Sequence, residues 1–145
     1  MTPRLTEAIG LSALGEPAGP ETFAVPAGNF LKSGLPVWLG LYGLNLDFPA
    51  FQGHFEGRPV LPALAQTLLA KDLAGRLWPE LDRTSAIVSA KFLGLVEPPA
   101  VVSVYAQPPA AGPGPGQWRF QLTAARAGGP AGEAAALRLE LSGLC

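Results

Sequence analysis

Residues that build many active sites are scarce in this chain. Among 145 residues there is one cysteine, Cys145, and one histidine, His54. A single cysteine excludes an intramolecular disulfide and any cysteine-based metal site. Charge is thin as well: Asp, Glu, Lys and Arg make up 14% of the chain, against about 25% in an average soluble domain. The net charge is −1 and no basic tract occurs, so nucleic acid binding has no electrostatic support. No apolar run reaches the roughly 18 residues of a membrane span, and MTPRLTEAIGLSALG at the start has no apolar core of signal-peptide length. A cytoplasmic protein is therefore expected. No spacing suggests a metal, nucleotide or redox cofactor.

What is present is a hydrophobic chain. Hydrophobic residues make up 48%, enough for one domain over 1–145 with a core of its own. A surface this poor in charge is usually covered in part, so a homodimer or higher homo-oligomer is expected. Glycine and proline are abundant, at 18 and 16, but they cluster between apolar runs and read as loop punctuation.

Residues 1–20 form a lead-in. Thr2 as N-cap and Pro3 behind it suggest a short helix over 2–14, which Gly10 interrupts. Thr22–Val25 is a brief strand candidate, and Val37–Leu46, apolar on both faces, reads as a buried strand. From Pro62 to about Leu77 the spacing predicts a helix ended by Pro79. Ala63, Leu69, Ala70, Leu73, Ala74 and Leu77 form its apolar stripe, with Gln66 inside it. Thr67, Lys71, Asp72, Gly75 and Arg76 fall on the other side, together with Leu64 and Leu68. Strand signals fill the remainder: Ser85–Val96, Val101–Gln107, then alternation through Trp118, Phe120, Leu122 and through Leu137, Leu139, Leu141. Pro108–Gly116, with its GPGPG, reads as a hairpin loop. The sum is an α+β domain in which an antiparallel sheet covers one long helix.

The segment with chemistry in it is Phe51–Gln66, FQGHFEGRPVLPALAQ. Gly53 and Gly57 bracket His54, Pro59 and Pro62 follow, and a helix begins directly after. Such a loop has a fixed backbone path, so the imidazole is presented next to the positive end of a helix. A histidine without context is more often structural; this spacing favours a site. The pair His54 and Glu56 matches the H-x-E of zinc deaminases, but the cysteine pair that those enzymes need is missing. No G-x-S-x-G supports a serine hydrolase, and Trp38, Trp78 and Trp118 read as packing residues.

Gly-His-Phe-X-Gly-X-Pro-Val-X-Pro leading into a helix resembles the active-site segment of the β-hydroxyacyl-acyl-carrier-protein dehydratases of the FabA/FabZ type. The flanks agree, with Phe48–Phe51 before it and Ala90-Lys91-Phe92 and Val96-Glu97-Pro98 after it. The variant acid position is most similar to the accessory dehydratase-like branch of aryl polyene synthesis. The resemblance implies a hot-dog fold, a long helix wrapped by an antiparallel sheet, and subunits that pair their sheets edge to edge. It also implies elimination of water from a 3-hydroxyacyl thioester carried by acyl carrier protein or CoA, as in fatty acid synthesis. His54 would be the base and the Ala63 N–H the oxyanion donor. Phe51, Gly53, Phe55, Gly57, Val60, Leu64 and Leu68 would line the acyl site.

The sequence departs from that pattern at Ala63, a glycine in the family, at Glu56, a proline in the family, and, with most consequence, at the helix acid. The family's helix acid, a Glu or Asp often facing the partner subunit's site, falls on Leu68, which can neither give nor take a proton. Asp72, one turn further on, and Glu56 in the loop are the candidate replacements, with Asp72 ahead. Two other readings stay open: a non-catalytic acyl-binding or scaffold subunit, and a thioesterase on the same fold.

Overall fold

Alternating apolar residues need a partner layer, and the computed structural model shows how this chain supplies one. It describes residues 12–21, 30–32, 34–44, 63–94, 96, 100–126 and 132–143. Seven strands and one helix are defined there: β1 (Ser12–Ala13), β2 (Ala18–Glu21), β3 (Val37–Leu44), α1 (Ala63–Leu77), β4 (Leu81–Phe92), β5 (Ala100–Gln107), β6 (Gly116–Arg126) and β7 (Gly132–Gly143). All pairings are antiparallel. The strand order is β1-β3-β5-β6-β7-β4, with β2 also on β3.

Side chains directly opposite one another in a ladder share a face. The register therefore draws a row across five strands: Gly40, Val104, Leu122, Ala135 and Phe92. A second row runs Trp118, Leu139, Ile87. On this face lie Val104, Trp118, Phe120, Leu122, Leu137 and Leu139, all wholly buried. The helix covers them with Leu69, Ala70, Leu73 and Ala74, equally buried. Each such leucine contributes about 1.5–3 kcal/mol by leaving water, so this layer is the main source of stability. Gly40 lets the helix approach, because a side-chain carbon there would meet Leu73 Cδ1 at 3.0 Å and Tyr42 Cε2 at 3.3 Å.

Smaller devices hold the borders. The β5–β6 hairpin is closed by Gly112 N–H donating to Pro109 O (2.8 Å), with Gly112 in the left-handed region at φ 107°. Trp118 Nε1 donates to Gly114 O (2.9 Å), which seats the GPGPG loop on the core. Ahead of β3, the Gln107 amide takes both main-chain groups of Lys32: Oε1 accepts from Lys32 N–H and Nε2 donates to Lys32 O, each at 2.8 Å. Arg119 donates to Phe30 O (3.3 Å) and lies over the Phe30 ring.

Most elements match the sequence reading; some do not. Ser12–Ala13 is a strand, not the end of a helix: Ser12 and Ala13 lie opposite Gly43 and Tyr42 of β3, and past Gly15 (φ 97°) the chain continues along the same strand, with Ala18 opposite Leu39 and Glu21 opposite Val37. Pairing to a long strand outweighs a weak local helix preference. Thr67, which helical spacing puts on the polar side, is buried, its hydroxyl donating to Ala63 O (3.1 Å). The β4 strand begins at Leu81, four residues before the expected Ser85, because Leu81 already pairs with Gly143 across an irregularity in register. The remaining helix expectation over 2–11 and the strand expectation Thr22–Val25 lie outside the described residues.

Candidate functional site

The site predicted from sequence has two halves, a loop and a helix. Phe51, Gly53, His54, Phe55, Glu56, Gly57 and Val60 lie outside the described residues. The helix half is in place. Ala63 opens α1 and is exposed, so its N–H belongs to the first turn, where main-chain donors have no intrahelical acceptor. That end of the helix carries partial positive charge, suited to a developing oxyanion. Leu64 follows in the same turn, and Leu68 is half-buried further along.

Asp72 sits one turn beyond Leu68, and its surroundings are the chief finding at this site. Its side chain is 7% exposed and Arg76, one turn further, is 13% exposed. Arg76 Nε donates to Asp72 Oδ2 at 2.9 Å. The Tyr42 hydroxyl, brought from β3, donates to the same oxygen at 2.7 Å. Tyr42 is itself 1% exposed. Burial, then the Asp72 charge and the hydrogen bond to it, push the Tyr42 phenol far above its usual value near 10, so it stays protonated and donating. Two donors, one of them charged, favour the ionised form of Asp72.

Tyr42 and Arg76 were not singled out by sequence. Thirty residues separate Tyr42 from Asp72, and no spacing rule joins them. Arg76 at i+4 from Asp72 carried the one readable signal.

A further feature concerns β4. Among the described residues its ladder runs on one side only, to β7. Ile87 and Phe92 stand opposite Leu139 and Ala135, on the core face, yet they are 58% and 43% exposed. Val88 and Leu93 are exposed as well. The helix meets β4 near its start, where Leu81 lies 4.0 Å from the Cβ position of Gly75. Further along, the core face of β4 is an open apolar border. No helix among the described residues is long and apolar enough to cross a membrane.

Comparison with known proteins fits this architecture. No curated protein sequence matches the chain. Among solved structures, the dehydratase heterocomplex ApeI:P of Xenorhabdus doucetiae superposes with a TM-score of 0.64 at 16% identity, covering 90% of this chain and 96% of that one. An uncharacterized protein from Erwinia carotovora subsp. atroseptica gives 0.63 at 21% identity, covering 74% and 84%. The dehydratase domain of the CurK module of curacin polyketide synthase gives 0.56 at 11% identity, covering 90% and 43%. These likenesses establish a hot-dog fold. The sequence model for ApeI dehydratase matches residues 39–129, well over half of the chain and including most of β3, the His54 segment, α1 and β4–β6, and on that ground the chain belongs to the ApeI-like dehydratase family.

Proposed function

We propose that this chain is a dehydratase subunit that eliminates water from a 3-hydroxyacyl thioester carried on acyl carrier protein or CoA. The observation that carries the reading is the family match over 39–129, which spans the His54 motif and the helix it leads into. In the proposed step, the neutral His54 imidazole takes a proton from C2. The C–H electrons form the C2–C3 double bond, and the C3–O bond breaks to release hydroxide, which leaves as water once protonated. Charge that builds on the thioester oxygen is met by the Ala63 N–H at the helix end. Phe51, Gly53, Phe55, Gly57, Val60, Leu64 and Leu68 are proposed to line the acyl site.

The proton for the leaving hydroxyl is proposed to come from a second hot-dog subunit seated along the open border of β4. In this fold family the helix acid often serves the partner's site, and a second copy of this chain would bring another Leu68. A partner of different sequence with an intact carboxylate resolves that shortfall. The ApeI:P structure, itself a heterocomplex, supports the same reading. A homo-oligomer remains the arrangement expected of a non-catalytic acyl-binding subunit, the reading that Leu68 favours if the chain acts alone.

The test is to incubate the purified protein, alone and with a co-produced hot-dog partner, with a 3-hydroxyacyl thioester and follow enoyl absorbance. Turnover that falls about 10²–10⁴-fold in His54→Ala is the expected result. Equal rates for wild type and His54→Ala would sink the dehydratase reading. Tight thioester binding with no turnover in either preparation would establish the binding subunit instead.

A further inference from the structure

Asp72 is the carboxylate on this helix nearest the vacant acid position, and its setting assigns it a different task. We propose that Tyr42 and Arg76 hold Asp72 as a fixed anion that locks α1 to β3, so that Tyr42 is a positioning residue for the Ala63 end of the helix and Asp72 is not the proton donor. The inference rests on the thioester reading for its catalytic consequence, and on the geometry alone for the lock.

Three observations carry it. First, two donors, Tyr42 Oη at 2.7 Å and Arg76 Nε at 2.9 Å, converge on one oxygen, Oδ2. A general acid must be protonated before it gives its proton away, and a carboxylate aimed at by a cation and a hydroxyl is stabilised without one. Second, distance is against it. Nine residues separate Ala63 from Asp72, and at 1.5 Å rise per residue that is about 14 Å along the axis. The carbonyl oxygen and the 3-hydroxyl of one substrate are only a few bonds apart. A substrate held at the Ala63 N–H therefore does not present its leaving group to Asp72 of the same subunit, and for a neighbouring subunit's site the argument rests on the two donors at Oδ2.

Third, the network joins elements that the sheet leaves separate. Tyr42 lies on β3, wholly within the core, where its ladder neighbour is Val102 of β5. The contact of Leu73 with the bare backbone of Gly40 is apolar and permits sliding, because dispersion has little direction. The Tyr42–Asp72 hydrogen bond is directional and sits one residue from Leu73 on the helix and two from Gly40 on the strand. It fixes the rotation and axial position of α1, and with them the aim of the Ala63 N–H. Misplacement of a donor by about 1 Å can cost 10²-fold in rate.

The experiment is a double-mutant cycle of Tyr42→Phe, Asp72→Asn and the pair, read by urea unfolding and by steady-state dehydration. For the lock, the two substitutions are coupled by about tenfold in the folding equilibrium constant, as expected of a buried hydrogen bond to a charged group. For positioning, both single variants lower kcat by a similar factor with KM little changed, their effects do not multiply in the pair, and the alkaline limb of the pH–rate profile stays where it is. Two results overturn the proposal. One is additive unfolding effects. The other is a loss of 10²-fold or more in kcat confined to Asp72→Asn, with the alkaline limb removed and Tyr42→Phe at wild-type rate, which makes Asp72 the acid. Failure of the dehydratase reading is separate, since it shows as absent turnover in wild type while the unfolding cycle still reports on the lock.

Discussion

At the scale of single residues, Tyr42 is the most consequential side chain of the described core. Its phenol is buried and donates to Asp72, and burial first, then that carboxylate, raise its pKa well above 10. In the unfolded chain a tyrosine ionises near 10. Above that pH the native state keeps a proton that the unfolded state has lost, so stability must fall as pH rises. The contribution is complete below pH 10 and declines beyond it. Urea midpoints measured from pH 8 to 11 should drop steeply for the wild-type chain. Tyr42→Phe should be less stable at pH 8 by about 1–3 kcal/mol, because Asp72 loses a buried donor, and should show a shallower alkaline decline. An equal slope in both proteins would mean that Tyr42 does not carry the effect.

At the scale of elements, stability comes from α1 against the sheet, and two substitutions probe it. Leu73→Ala removes a wholly buried side chain that fills the space over Gly40, and should cost about 2–5 kcal/mol in chemical unfolding. Gly94, just past β4, has no room for a side chain: a Cβ there would come within 2.7 Å of the main-chain oxygen of Glu133. Because that neighbour is backbone and cannot swing aside, Gly94→Ala should cost about 1–3 kcal/mol despite its small volume. A thermal midpoint unchanged from wild type would refute the contact.

The elements also show what a sequence discloses. β5, β6 and β7 were legible because one face of each is more deeply buried than the other along much of its length, as in Trp118–Phe120 and Leu137–Leu141, which writes a period of two into the residues. α1 was legible through its leucine and alanine spacing and the proline after it. β1 was not, since a two-residue strand has no period and exists through its pairing with β3. The family and fold followed from a loop whose glycines and prolines are close together in the chain. The Tyr42–Asp72 bond and the clasp of Gln107 on Lys32 join residues 30 and 75 positions apart, and no local pattern encodes such pairs.

At the scale of the molecule, the open side of β4 sets the expectation. A twelve-residue strand with a one-sided ladder among the described residues, and with Ile87 and Phe92 exposed on its core face, has the features of a subunit boundary. Ile87→Lys should turn an assembled species into a monomer in sedimentation while the far-ultraviolet dichroism stays β-rich. Assembly of unchanged mass after this substitution would place the boundary elsewhere. Native mass spectrometry of the wild-type chain made with a second hot-dog protein should give a mixed species.

That border has a further meaning for how the chain must be made. A ribosome releasing this polypeptide by itself delivers a sticky ribbon into a crowded solution, where any stray strand can zip onto it. Production in step with a mate, in matched amounts, would cap the ribbon before it finds the wrong company. Yield of clarified protein should therefore rise when the two are translated together, even where neither sequence has been altered.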